Sequence, residues 1–196
     1  MTSHDVVPAV PERWGDLAVV MGTRGDPSRC WCQYFHLRGR AWSEATAPSL
    51  RERLYGQVIA GDRPPGVLAY TDGEPVGWCQ VGPKSSYARL LSSPASAPPD
   101  DDADPAGLWS ITCFVVSPKA RRHGVATALL DGALAFAAAY DAASVEAYPV
   151  DTAARSSTSS AELYHGALTL FVAAGFEVVR RPSSTRAVVR RQTIVA

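Results

Sequence analysis

The chain has 196 residues, 46% of them apolar and 19% charged, with 19 basic and 19 acidic side chains. That length fits one domain with a full core, and that composition excludes a disordered chain. Balanced charge argues against a nucleic-acid-binding protein, which shows a basic excess, and no run of roughly 18 apolar residues marks a membrane span.

Residues 1–14 lack a basic stretch followed by an apolar one, so they do not read as a secretory signal, and a cytoplasmic protein is expected. Pro11 to Met21 reads as a short helix with Trp14, Leu17, Ala18 and Met21 on one face. The Gly25-Asp26-Pro27 cluster breaks the chain before an aromatic stretch, Cys30-Trp31-Cys32-Gln33-Tyr34-Phe35. Its Cys-x-Cys spacing has no second Cys or His pair at a metal-ligand distance, so no metal is expected, and the aromatic residues read as packing or as a wall of a substrate pocket. Cys79 and Cys113 lie in apolar runs and read as buried thiols. Ser49 to Ala60 reads as a second helix closed by Gly61.

Two apolar runs, Gly66–Thr71 and Pro75–Val81, flank Asp72-Gly73-Glu74 and predict a hairpin. Residues 92–106 are rich in Ser, Pro, Ala and Asp and read as a long mobile loop. Its acidic run, Asp100 to Asp102 with Asp104, reads as a solvated face that would also attract a cationic amine. Leu108 to Val116 is the best candidate for a central strand. Gly124 to Tyr140 predicts a long helix, Ser144 to Val150 a strand, Ala161 to Ala174 a helix ended by Gly175, and Phe176–Val179 with Arg186–Ile194 a final pair of strands. The order predicts a single mixed α/β domain over residues 1–196.

The segment Val116-Ser117-Pro118-Lys119-Ala120-Arg121-Arg122-His123-Gly124-Val125-Ala126 joins the strongest strand to the longest helix. A helix start leaves backbone N–H groups without partners, and those donors, together with the helix dipole, suit a phosphate. Gly124 and Ala126 allow close approach, while Lys119, Arg121 and Arg122 add positive charge. A Walker loop would need a Gly-Lys-Ser/Thr ending and a dinucleotide fingerprint three glycines; neither is present. An ordinary strand-to-helix turn is the plain alternative.

The pattern Arg121-x-x-Gly124-x-Ala126 resembles the acetyl-CoA-binding motif of the GNAT N-acetyltransferases, and Tyr164-His165-Gly166-Ala167-Leu168-Thr169-Leu170-Phe171 leading to Gly175-Phe176 is similar to the family's last helix. The likeness is firm over about residues 66–196. It implies a splayed central sheet with helices on both faces, in which the strands Leu108–Val116 and Ser144–Val150 part at their ends. It also implies that acetyl-CoA is the cosubstrate. Phe114, Val115 and Val116 on the strand, Arg121, Arg122, His123, Gly124, Val125, Ala126 and Thr127 at the loop and helix start, and Phe171 would line its site, and the pantetheine arm would pair with the backbone of Phe114 and Val116.

The implied reaction is direct attack by an amine on the thioester within a ternary complex. The chain departs from the family at the proton-handling positions. Phe171 stands where relatives carry an acidic Tyr, Ser110 where some carry a basic Glu, and Tyr164 where an Asn is usual. Tyr164 is therefore the candidate acid, and Glu146, a carboxylate in an apolar strand, the candidate base. Asp151 is a candidate for binding a cationic amine and His165 is titratable near neutrality. Cys113 as a nucleophile lacks an identifiable His partner. The acceptor is expected to be a small-molecule amine and the protein a monomer or homodimer, without nucleic-acid or membrane partners. A protein lysine or N-terminal acetyltransferase and a non-catalytic CoA-binding module are the alternatives.

Overall fold

The computed structural model describes residues 3–94, 96, 107–154 and 160–193. Most of the expected 92–106 loop, with its acidic run, lies outside them. Seven strands form one sheet in the order β1-β2-β3-β4-β5-β7-β6: β1 (Asp5–Pro8), β2 (Gly66–Thr71), β3 (Glu74–Pro83), β4 (Leu108–Val116), β5 (Ser144–Ala147), β6 (Glu177–Ser183) and β7 (Arg186–Gln192). Neighbours are antiparallel except β4 and β5, which run parallel.

Alternation along each strand feeds two cores. Val67 and Ala69, Cys79 and Val81, and Phe114 face one side, where α6 (Val125–Ala139) packs Leu129, Leu130, Ala133 and Phe136 onto them. Leu68 and Tyr70, Trp78, and Cys113 with Val115 face the other. There α1 (Trp14–Met21) and α4 (Ala47–Ala60) bury Leu17, Val20, Leu50 and Leu54. Each such side chain contributes about 1.5–3 kcal/mol of burial. Helices therefore cover both faces, as expected. Gly77 sets how closely α6 approaches: a Cβ there would lie 2.8 Å from Val125 and 2.9 Å from Leu129.

Several boundaries move for identifiable reasons. The second helix starts at Ala47 rather than Ser49 because Thr46 caps it, accepting from the Ser49 amide while the Thr46 amide donates to Ser49 Oγ at 2.9 Å. β1, an edge strand of four residues ending in Pro8, has too short a run to stand out in sequence. So do α2 (Asp26–Cys30), α3 (Gly39–Ser43) and α5 (Ala88–Ser92). The strand expected over Ser144–Val150 stops at Ala147, and Pro149, which has no N–H to give, separates it from an isolated bridge at Val150.

The helix expected over Ala161–Ala174 is broken into α7 (Ser160–Leu163) and α8 (Leu168–Ala173). Gly166 at φ +79° ends the first piece, and in the turn between the two the His165 and Gly166 amides bond back to Glu162 and Leu163 while the Tyr164 and Gly166 carbonyls accept from Phe114 and Val150.

Candidate active site

The sheet opens where the sequence implied. β4 pairs with β5 only from Leu108 to Ile111, against Ser144 to Ala147, and the outer half of β4 has no β5 partner. At the open end, the Ser117–Gly124 loop carries the chain into α6. The Ser117 amide donates to the Val76 carbonyl at 2.9 Å, which fixes the loop's start. Arg122 at φ +64° and Gly124 at φ +87° curl the rest, and no side chain caps α6. The first amides of a 15-residue helix are thus left without a side-chain cap, beside Arg121 and Arg122, an arrangement that suits an anion.

A groove of about 470 Å³ runs from this loop along the opened strand, walled by Phe114, Val116, Arg121, Arg122, Ala126, Leu163, Tyr164, Gly166, Ala167 and Leu170. Five of the expected cofactor residues therefore meet in one groove: Phe114, Val116, Arg121, Arg122 and Ala126. His123, Gly124 and Thr127 flank it at the helix start, exposed. Val125 is buried beneath Gly77, so only its main chain is available to a ligand. Two expectations need correction, Val115 and Phe171. Val115 points to the opposite face, as strand alternation demands of a neighbour of Phe114. Phe171 is a core residue, fully buried edge-on against Phe114 and Phe176.

His4 was not legible as a site residue. Its Nε2 donates to the His123 carbonyl at 2.7 Å, and its Nδ1 lies 2.8 Å from Thr71 Oγ1. It ties the loop, 119 residues away from it in the chain, to the end of β2.

The gap between β4 and β5 is crossed by Tyr164 to Gly166. The Phe114 amide donates to the Tyr164 carbonyl at 2.7 Å, and the Val150 amide to the Gly166 carbonyl at 3.0 Å. The expected free edge at Phe114 is therefore already paired, because the broken helix lays its own backbone along the strand. Tyr164 itself sits in this turn, half-buried, and not on a helix face shared with Phe171. Burial, then the charge of Asp26, holds its phenol above the ordinary tyrosine value, so it keeps its proton.

On the far side of Tyr164 lies a second cavity of about 520 Å³, between β4 and the α2–α4 region. Its floor is Thr112, Cys113 and Val115; Tyr34, Phe35, Trp42, Tyr164 and His165 supply ring surface, and Asp26 and Arg29 stand among its lining residues. His165 Nδ1 approaches the Thr112 carbonyl at 3.3 Å. A carbonyl only accepts, so Nδ1 carries the hydrogen and Nε2 the lone pair. Burial, then the Arg186 charge, pushes this imidazole down to about 4, so it is neutral at pH 7. The Cys-x-Cys pair also reaches this cavity. Cys30, Cys32 and Cys113 all line it, with Cys32 and Cys113 sulfurs 3.0 Å apart, a convergence that spacing in sequence did not reveal. Among the described residues no group of three or more His, Cys, Asp or Glu side chains is arranged to hold a metal ion.

Glu146 is buried, as a base of raised proton affinity would be, but its oxygens are engaged. Lys84 Nζ and the Tyr148 hydroxyl donate to Oε1, each at 2.6 Å, and Arg190 to Oε2 at 3.0 Å. Ser110 Oγ lies 3.2 Å from the Tyr148 hydroxyl and extends the network to the position where relatives carry a Glu. Glu146 thus serves as the centre of a buried polar anchor instead of an open proton acceptor. Asp151 is paired with Arg181 at 2.8 Å, which holds its carboxyl below the usual range, and it lines neither cavity.

The Acetyltransferase (GNAT) family model matches residues 31–166, and the chain belongs to that family. It is an acyltransferase, of a fold that performs acetyl-CoA-dependent acetyl transfer. Solved structures show the same architecture at low identity. An N-acetyltransferase from Staphylococcus aureus Mu50 is 12% identical, covering 98% of this chain and 100% of its own, with a TM-score of 0.56. A GCN5-related N-acetyltransferase from Kribbella flavida is 17% identical over 96% of this chain and 97% of its own, at 0.54. The PaiA N-acetyltransferase from Thermoplasma acidophilum, solved with coenzyme A, is 11% identical over 97% and 99%, at 0.52. No curated protein matches the sequence. Among the described residues no helix is long and apolar enough to cross a membrane.

Proposed function

We propose that this protein moves an acetyl group from acetyl-CoA to the primary amine of a small molecule, by direct attack in a ternary complex. The observation that carries this reading is that the basic groove and the aromatic cavity share one side chain, Tyr164. Reactants held in the two would meet there, and holding them together removes much of the entropic barrier.

When bound, acetyl-CoA supplies an acetyl group activated as a thioester; transfer forms a C–N bond and breaks a C–S bond. The α6 amides with Arg121 and Arg122 would hold its phosphates. The apolar second cavity disfavours a charged ammonium and so favours the free amine, the attacking form. As nitrogen gains positive charge on attack, His165 Nε2 accepts its proton. Tyr164 gives its phenolic proton to the departing sulfur. Both groups then exchange protons with water. Glu146, through Tyr148 and Lys84, holds the paired start of β4 and β5 in register.

The test is release of free CoA thiol from acetyl-CoA with a panel of amines, alongside thermal unfolding with acetyl-CoA, CoA, ATP and NAD. At a hundredfold excess over the dissociation constant, a true ligand adds about 2.7 kcal/mol, a rise of about 5–10 °C for a chain of this size. A shift with the CoA species and turnover of amines supports the reading. Acetylation of proteins alone would replace the small-molecule acceptor. CoA binding without turnover would make the chain a binding module.

A further inference from the structure

The second cavity is informative about its occupant, and the inference rests on the acyltransferase reading above. Among its lining residues Asp26 is the single carboxylate. Among the described residues it has no ion-pair partner. It lines the same cavity as Tyr164, the side chain that the two cavities share. One carboxylate matches one ammonium. A polyamine, an aminoglycoside or a basic peptide would bring several cations, and Arg29, also on the lining, would repel the rest.

The remaining wall is aromatic. Tyr34 meets Phe35 and Trp42 edge-on, both with ring centroids 5.2 Å away, and Phe35 meets His165 at 5.4 Å. This surface is held before any ligand arrives. The Arg89 guanidinium lies 4.0 Å from the centre of the Tyr34 ring, its Nε donates to the Tyr34 carbonyl at 2.8 Å, and the Arg89 amide donates to the Phe35 carbonyl at 3.0 Å. A preorganised ring surface loses little side-chain entropy on binding and favours planar apolar bodies. A cavity of about 520 Å³ also takes a body larger than a short alkyl chain.

We infer that the acceptor is a monoamine carried on an aromatic body, with its ammonium drawn in by Asp26 and its ring laid against Tyr34, Phe35 and Trp42. Asp26 is then a specificity-determining residue at the cavity mouth. The ammonium loses its proton only after it passes from the carboxylate to the apolar floor at Cys113 and Val115.

The experiment compares 2-phenylethylamine, hexylamine, ethanolamine and spermidine. Turnover with acetyl-CoA gives kcat/KM, and direct calorimetric titration gives binding whether or not turnover occurs. The arylalkylamine should exceed ethanolamine and spermidine at least tenfold in kcat/KM and in affinity. Asp26→Asn should raise KM for it about tenfold with kcat little changed and acetyl-CoA affinity intact, a split that simple unfolding would not produce. Trp42→Ala should narrow the preference for phenylethylamine over hexylamine. Preference for spermidine or ethanolamine, or an unaltered KM in the Asp26 variant, overturns the inference while leaving the acyltransferase reading in place. Failure to bind acetyl-CoA overturns that reading, and the calorimetric ranking of amines still decides the inference about the cavity.

Discussion

The Phe114 amide donates to the Tyr164 carbonyl at 2.7 Å, across 50 residues of chain, and this bond closes the gap where β4 and β5 part. The bond depends on the turn at Gly166. Its φ of +79° disfavours any side chain, and a Cβ would lie 2.6 Å from the Phe171 ring. Gly166→Ala should destabilise the protein by about 1–3 kcal/mol, read by urea unfolding, and speed hydrogen exchange at the Phe114 amide. A Gly166→Ala variant of unchanged stability would mean that the turn is not under this constraint.

Gly124→Glu places a carboxylate at the uncapped start of α6, in the space assigned to phosphates. We expect acetyl-CoA affinity to fall at least a hundredfold, by calorimetric titration, with the fold intact by circular dichroism. Gly124→Ala is the control: at φ +87° it adds backbone strain, but its Cβ meets nothing nearer than His4 Nε2 at 3.7 Å. Affinity should therefore fall much less. Equal affinity in the Glu variant and the parent would remove the phosphate assignment.

Acid should destabilise the protein through two imidazoles. Burial pushes both His36 and His165 from 6.5 in the unfolded chain down to about 4 in the folded one. Between those values the unfolded chain binds more protons, so stability rises with pH from about 4 to 6.5 and falls as pH drops through that window. Each contributes a loss on the order of 2–3 kcal/mol by pH 4. Unfolding free energies measured from pH 4 to 8 should show this slope, and His36→Asn should flatten part of it. An unchanged slope in that variant would assign the acid sensitivity elsewhere.

Lys84 and Glu146 are 1% and 2% exposed, 2.6 Å apart. Lys84→Met leaves a buried carboxylate with one cation fewer and should destabilise by about 3–5 kcal/mol. Lys84→Met with Glu146→Gln should recover part of that loss, a coupling readable in a double-mutant cycle. Additive effects of the two substitutions would show that the pair does not act as a unit.

Phe171→Tyr restores the side chain that relatives carry, yet we expect no gain in kcat. The ring is fully buried against Phe114, Phe176 and Gly166, so the added hydroxyl would enter packed core and cost about 1–3 kcal/mol. Tyr164→Phe, by contrast, should lower kcat about 10²-fold or more with little change in stability.

Local sequence determined the elements that read by period and punctuation: the hairpin around Gly73, the long helix after Gly124, the central strand before Ser117, and the basic loop between them. Those signals are short-range, carried by neighbouring residues, and they sufficed to place Arg121, Arg122, Gly124 and Ala126 at a helix start. Tertiary structure decided what depended on residues far apart. It broke the last helix at Gly166, where the Tyr164 and Gly166 carbonyls accept from Phe114 and Val150. It surrounded Glu146 with Lys84, Tyr148 and Arg190, turning a candidate base into an anchor. It buried Phe171, and it gathered Asp26, Tyr34, Trp42 and His165 around one cavity. A side chain's chemistry is set by the charges and surfaces packed on it, and those arrive from every part of the chain once it folds.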